Sequence, residues 1–117
     1  MAIEFSVIES NVLPGLKIIK PSVFEETRGS IWTSYVTDSL GSLLPSDLFF
    51  KHDKFSKSNA NVLRGIHGDH MSWKLVSCIH GQIMQVVVDM RTSSKTYLKW
   101  ESFDLGNLNR SMILIPP

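Results

Sequence analysis

The chain has 117 residues, with 12 Lys and Arg against 11 Asp and Glu for a formal charge of +1. That length predicts one domain, residues 1–117, with a core of its own. The balanced charge excludes both the basic field of a nucleic-acid binder and an acidic solvating tail, and no apolar run reaches the length of a membrane-spanning helix.

The single cysteine, Cys78, excludes an intrachain disulfide and makes a reducing cytoplasm the expected location. Its setting, Val76-Ser77-Cys78-Ile79, predicts a small buried hydrophobe rather than a reactive thiol. Met1-Ala2-Ile3-Glu4-Phe5 lacks the charged and apolar regions of a signal peptide.

Helical periodicity is scarce. Short apolar runs broken by Gly, Pro, Asn and Ser predict strands over Ile3–Ile8, Leu16–Lys20, Gly29–Val36, Phe49–Ser58, Asn61–His67, Trp73–His80, Gly81–Asp89, Tyr97–Asp104 and Ser111–Pro116. One short helix is expected over Asp38–Leu44, capped by Asp38, and a tight turn at His80-Gly81. Turn signals recurring about every eight to twelve residues indicate an all-β sandwich or jelly roll, and periodicity does not choose between them.

The stretch Asn61-Val62-Leu63-Arg64-Gly65-Ile66-His67, with Trp73-Lys74-Leu75-Val76 after it, gathers an arginine, a histidine and a lysine. Such a trio suits an anionic ligand from which a C–H proton is removed: an imidazole takes the proton and cations hold the developing oxyanion and a phosphate. Taken alone, His67 also fits a structural histidine, Lys74 a strand-end lysine reaching solvent, and Arg28 a surface ion pair with Glu25 or Glu26. His67, His70 and His80 do not have the spacing of converging metal ligands, so no metal site is expected. Trp32, Trp73, Trp100 and Phe103 read as core or interface.

Four further segments carry a resemblance. Phe24-Glu25-Glu26-Thr27-Arg28-Gly29 is similar to an F-x-D-x-R-G motif, and Phe50 to Ser58 to Q-D-N-x-S-x-S. Val88-Asp89-Met90-Arg91 with Ser94, Thr96-Tyr97 and Trp100 is similar to V-D-L-R-x-x-S-x-T-Y-x-x-W, and Ile113-Leu114-Ile115-Pro116 to L-x-I-P. Together with Arg64-Gly65-Ile66-His67 they resemble, in order, the dTDP-4-dehydrorhamnose 3,5-epimerase family of nucleotide-sugar epimerases.

The resemblance implies an all-β cupin fold, a double-stranded β-helix or jelly roll, with N-terminal strands shared across a homodimer. It implies that His67 removes the proton at C3 or C5 of a nucleotide-linked 4-keto-6-deoxy sugar, that Lys74 steadies the enolate oxygen, and that Arg64 and Arg28 hold the diphosphate. It implies no cofactor, a metal-free reaction, and a place in capsule or other surface-polysaccharide synthesis. His52, Asp53 and Lys54 fall on the substrate-contacting Q-D-N positions with only the aspartate kept. That departure, with Lys-His-Asp-Lys-Phe and Arg-Gly-Ile-His-Gly-Asp, is closer to a subgroup acting on GDP-linked 4-keto-6-deoxy-heptoses. Gly68 to Ser72 replaces a longer Y-Q-x-x-P stretch, and Thr33 stands where the family has an acid. The family pattern continues past L-x-I-P to further strands and a catalytic tyrosine, which would lie beyond Pro117, while Tyr97 matches a structural position. Two other expectations stay open: a 3,4-ketoisomerase of the same fold, and a shortened relative that binds a nucleotide sugar without turning it over.

Overall fold

A computed structural model describes residues 2–117. In chain order the strands are β1 (Phe5–Glu9), β2 (Lys17–Pro21), β3 (Val23–Glu26), β4 (Gly29–Trp32), β5 (Lys74–Ser77), β6 (Gln82–Val88), β7 (Trp100–Gly106) and β8 (Met112–Ile115). One helical turn, α1 (Thr37–Leu40), runs into a 3₁₀ turn at Gly41–Leu43. Among the described residues no helix is long and apolar enough to cross a membrane.

β8 explains the architecture. Met112-Ile113-Leu114-Ile115 has no polar residue to turn toward water, so it needs cover on both faces. It lies inside a four-stranded antiparallel sheet of order β1-β2-β8-β5. Because successive side chains alternate, Ile113 enters one apolar cluster and Met112 and Leu114 enter another on the opposite face. The neighbours keep the same register: Ile18 and Val76 lie opposite Ile113 and join its cluster, while Ile19 lies opposite Met112 and Leu75 opposite Leu114.

The first face packs on the β6–β7 hairpin through Phe103, Leu105 and Val87, with Leu13 and Leu16 filling from the first connection. The second is closed by Leu40 and Leu44 from the helical turn, with Tyr35, Phe50 and Trp73 at its rim. Tyr35 meets Phe50 edge to face, their centroids 5.6 Å apart. Cys78 packs partly buried against the first cluster and donates its thiol proton to the His80 carbonyl, in keeping with its expected apolar role.

Eight strands were not all where the sequence places them. Val23–Glu26 was missed: it forms a two-residue hairpin with β4 around Thr27-Arg28, a pair without the usual Asn-Gly or Asp-Gly turn chemistry. Phe49–Ser58 and Asn61–His67 were expected as strands and are not; the segment runs as exposed coil with a turn at Ala60-Asn61. Strand propensity reflects packing and pairing rather than an intrinsic backbone preference, and no described strand forms a ladder with either stretch. Apart from Phe50, which packs at the rim of the second cluster, their apolar side chains face water, Leu63 being 92% and Phe55 80% exposed. The helix is also shorter than expected and Val36, not Asp38, occupies its N-cap position; Asp38 sits in its first turn. Trp100 is 62% exposed and is not part of either core cluster.

Candidate functional site

Lys74 opens β5 opposite Ile115, and strand alternation puts its side chain on the face shared by Val76, toward the β6–β7 hairpin. Its ammonium donates to Asp69 Oδ2 at 3.0 Å. Asp69 is itself fixed, since Oδ1 accepts the Met71 amide at 2.8 Å and the Ser72 amide at 2.6 Å. These amides, Met71 first and then Ser72, followed by the Lys74 ammonium, hold the Asp69 carboxyl well below the usual carboxylate range. In the sequence Asp69 stands out only as part of the Gly68–Ser72 connection, not as a site residue. The signal available was an aspartate two and three residues before unpaired amides, the pattern of a side chain closing its own turn.

His67 lies exposed on the connection leading to β5, its imidazole folded back over Gly65. A Cβ at residue 65 would meet His67 Nδ1 at 3.3 Å, and Gly65 has φ +107°, a conformation side-chain-bearing residues rarely adopt. Both facts account for a glycine between Arg64 and the histidine. Arg64 turns back along its own loop: Nε donates to Ser58 Oγ at 2.8 Å and Nη2 to the Lys57 carbonyl at 3.3 Å. It therefore ties the Phe49–Ser58 stretch to the one carrying His67.

Arg28 stands at the tip of the β3–β4 hairpin, 81% exposed, with Nη2 2.6 Å from Glu26 Oε1. His52, Asp53 and Lys54 are exposed in coil. Arg64, Lys74 and Arg28 each bond to different partners, Ser58 and Lys57, Asp69, and Glu26 respectively. The connection thus brings Asp69 to Lys74 and Arg64 to residues 57–58, while Arg28 pairs within its own hairpin. Neither of two shallow depressions on the surface, one of about 290 Å³ between β2 and β7, is lined by a candidate residue. Among the described residues no group of three or more His, Cys, Asp and Glu converges as a metal site would require.

The V-D-L-R-like segment proves to be architecture. Asp89, 5% exposed at the end of β6, takes a two-point fork from Arg91, plus hydroxyl protons from Ser94 at 2.7 Å and Thr96 at 2.6 Å. Arg91 Nη2 also reaches the Pro14 carbonyl at 2.9 Å, so the β6–β7 connection is locked to the β1–β2 connection. A second tie lies at the end of β4, where the Arg110 guanidinium stacks 3.9 Å from the Trp32 ring centroid.

Known proteins resemble this chain in sequence and in fold. The family model for dTDP-4-dehydrorhamnose 3,5-epimerase matches residues 10–117. The dTDP-4-dehydrorhamnose 3,5-epimerase of Salmonella typhimurium is 34% identical over 113 residues, covering 94% of this chain and 62% of that protein. That of Escherichia coli is 35% identical over 102 residues, covering 85% and 55%. Among solved structures, the Legionella pneumophila dTDP-6-deoxy-D-glucose-3,5-epimerase in complex with dTDP-4-keto-L-rhamnose superimposes with a TM-score of 0.87 at 32% identity, covering 97% of this chain and 61% of that one. A 4-keto-6-deoxy sugar epimerase from the novobiocin gene cluster of Streptomyces spheroides gives 0.83 at 26% identity, covering 96% and 57%. The chain spans about three fifths of the length of these relatives. On these matches the all-β architecture is a cupin jelly roll, and the chain belongs to the dTDP-4-dehydrorhamnose 3,5-epimerase family.

Proposed function

We propose that this protein epimerises a nucleotide-linked 4-keto-6-deoxy sugar at C3, C5 or both, within one cupin domain spanning residues 1–117. The observation that carries the reading is the Lys74 ammonium at the start of β5, held by Asp69 at the end of the connection that begins with His67.

In this account the neutral His67 imidazole removes the proton next to the C4 ketone. A positioned base of this kind contributes about 10² to 10⁴ in rate. The electron pair moves onto the C4 oxygen, where Lys74 donates to the enolate; one donor to such an oxyanion is worth about 3 kcal/mol. A proton drawn from solvent adds to the opposite face of the enolate carbon and inverts it, and the His67 imidazolium returns its proton to water. Arg64 and Arg28 bind the diphosphate, and His52, Asp53 and Lys54 line the approach for sugar and base.

The departures at His52 and Lys54, and the short Gly68–Ser72 connection, support a GDP-linked 4-keto-6-deoxy-heptose as substrate, in cytoplasmic synthesis of a capsule or lipopolysaccharide precursor. The exposed β1 edge, with Val7 and Ile8 facing water, supports pairing of N-terminal strands in a homodimer.

One observation favours a second reading, nucleotide-sugar binding without turnover. His67 stands in open coil, whereas a base that works on a carbon acid gains from exclusion of water. Incubation with GDP- and dTDP-linked 4-keto-6-deoxy sugars, followed by NMR of the ring coupling constants, separates the two. Inverted configuration at C3 or C5 supports the epimerase; tight binding with the configuration retained supports the binder. A 3,4-ketoisomerase would instead move the carbonyl carbon.

A further inference from the structure

We infer that Asp69 is a positioning residue for Lys74: it fixes where the ammonium points, leaving its remaining protons for the oxygen that gathers charge. The inference rests on the epimerase reading for its consequence in catalysis, and on geometry for its premise.

An ordinary exposed Lys–Asp pair is loose, because both side chains must give up rotamers for a weak, screened attraction. Lys74 and Asp69 are 39% and 44% exposed, so exposure alone would place them in that class. Two features take them out of it. The carboxylate is already immobilised before the lysine arrives, since the Met71 and Ser72 amides clamp Oδ1 at 2.8 and 2.6 Å. The lysine backbone is equally fixed, because Lys74 is laddered to Ile115 of β8. What remains free is one lysine stem between two anchored ends, and the 3.0 Å bond to Oδ2 confines it.

The donor count fits the role. An ammonium has three protons, and Asp69 takes one, leaving two for an oxyanion. Asp69 receives three donors in return, two amides on Oδ1 and the ammonium on Oδ2, so it is occupied as an acceptor. Preorganised donors cost no reorientation when charge develops, which is the advantage of holding the lysine from behind. Gly68-Asp69-His70-Met71-Ser72 is therefore a clamp for β5 as well as a connection.

The experiment separates turn-making from aiming. Asp69→Asn keeps an oxygen for the two amides but faces the ammonium with an NH₂ donor. Asp69→Glu keeps the charge on a longer stem. Each variant and the parent are examined by ¹⁵N NMR of the lysine Nζ protons, whose exchange with water is slowed by a fixed hydrogen bond. Each is also assayed for solvent-hydrogen exchange into a GDP-linked 4-keto-6-deoxy sugar, separating kcat from KM. Expected are loss of the protected Lys74 Nζ signal in D69N, a fall in kcat of about ten- to a hundredfold with KM within about twofold, and partial recovery of kcat in D69E. An unchanged Nζ signal or an unchanged kcat in D69N would overturn the inference. If the parent exchanges no hydrogen, the epimerase reading fails by itself; the Nζ comparison then still decides whether Asp69 fixes Lys74, its loss in D69N supporting that and its survival overturning it.

Discussion

Arg91 closes a two-point fork on Asp89, with Nε 2.9 Å from Oδ1 and Nη2 3.0 Å from Oδ2. The pair holds the end of β6, the connection to β7 and, through Pro14, the start of the chain's packing around Leu13 and Leu16. Asp89 is buried but Arg91 is 39% exposed, so removing the arginine costs less than the ~3–5 kcal/mol of a fully buried pair. Arg91→Ala leaves the Asp89 carboxylate buried with hydroxyl and amide partners alone, and is expected to lower unfolding free energy by about 2 kcal/mol in urea melts.

The same carboxylate sets an acid limit. Arg91 holds Asp89 well below the usual carboxylate range, and the Thr96 and Ser94 hydroxyls add to this against the opposing effect of burial. The folded state therefore prefers the ionised form. That stabilisation is full above about pH 4, the ordinary aspartate value, and is lost as the pH falls from there toward the depressed folded value. The stability difference between parent and Asp89→Asn is expected to be constant from pH 7 to 5 and to shrink below about pH 4. A difference that grows on acidification would contradict the ion-pair assignment.

Gly106 ends β7 with φ +144°, and a Cβ there would collide with the Gly81 carbonyl oxygen and stand 2.9 Å from Gln82 Cα. The obstacle is backbone in the adjoining strand, which a rotamer change cannot relieve. Gly106→Ala is expected to cost more than about 2 kcal/mol, since it combines a strained φ with overpacking. Thermal melting beside the parent checks this.

Arg28 offers the opposite case. Its contact with Glu26 is at the tip of an exposed hairpin, where such pairs add little to stability. Arg28→Ala should leave the melting temperature within error and weaken nucleotide-sugar affinity about tenfold, as expected for loss of a charge-assisted contact to phosphate. Calorimetric titration with the intact nucleotide sugar tests it; unchanged affinity would remove Arg28 from the binding site.

How much of this was legible in the sequence differs residue by residue. β8 was readable because an apolar run bounded by Arg110-Ser111 and Pro116 admits few alternatives. Ile18-Ile19 and Leu75-Val76 were readable for the same reason, each pair splitting between the two faces of the sheet. The stretch from Phe49 to His67 misled, because alternation says only that a strand would be amphipathic, and a strand exists only where another chain segment completes its ladder. Arg64, His67 and Lys74 stood out by residue type, but Asp69 did not, since an aspartate beside a glycine reads first as turn chemistry. The Asp89 network was visible as a family motif, while its structural purpose depends on contacts with Pro14, far away in sequence.

The central claim is that His67 removes a proton from carbon. The most direct measurement is deuterium incorporation in D₂O with a GDP- or dTDP-linked 4-keto-6-deoxy sugar, followed by mass and by NMR at C3 and C5, for the parent and for His67→Asn. The account predicts label at one or both carbons for the parent, none above background for the variant, and melting temperatures that agree within error because His67 is exposed. Label that persists in His67→Asn, or a parent that binds the sugar and incorporates none, would contradict it.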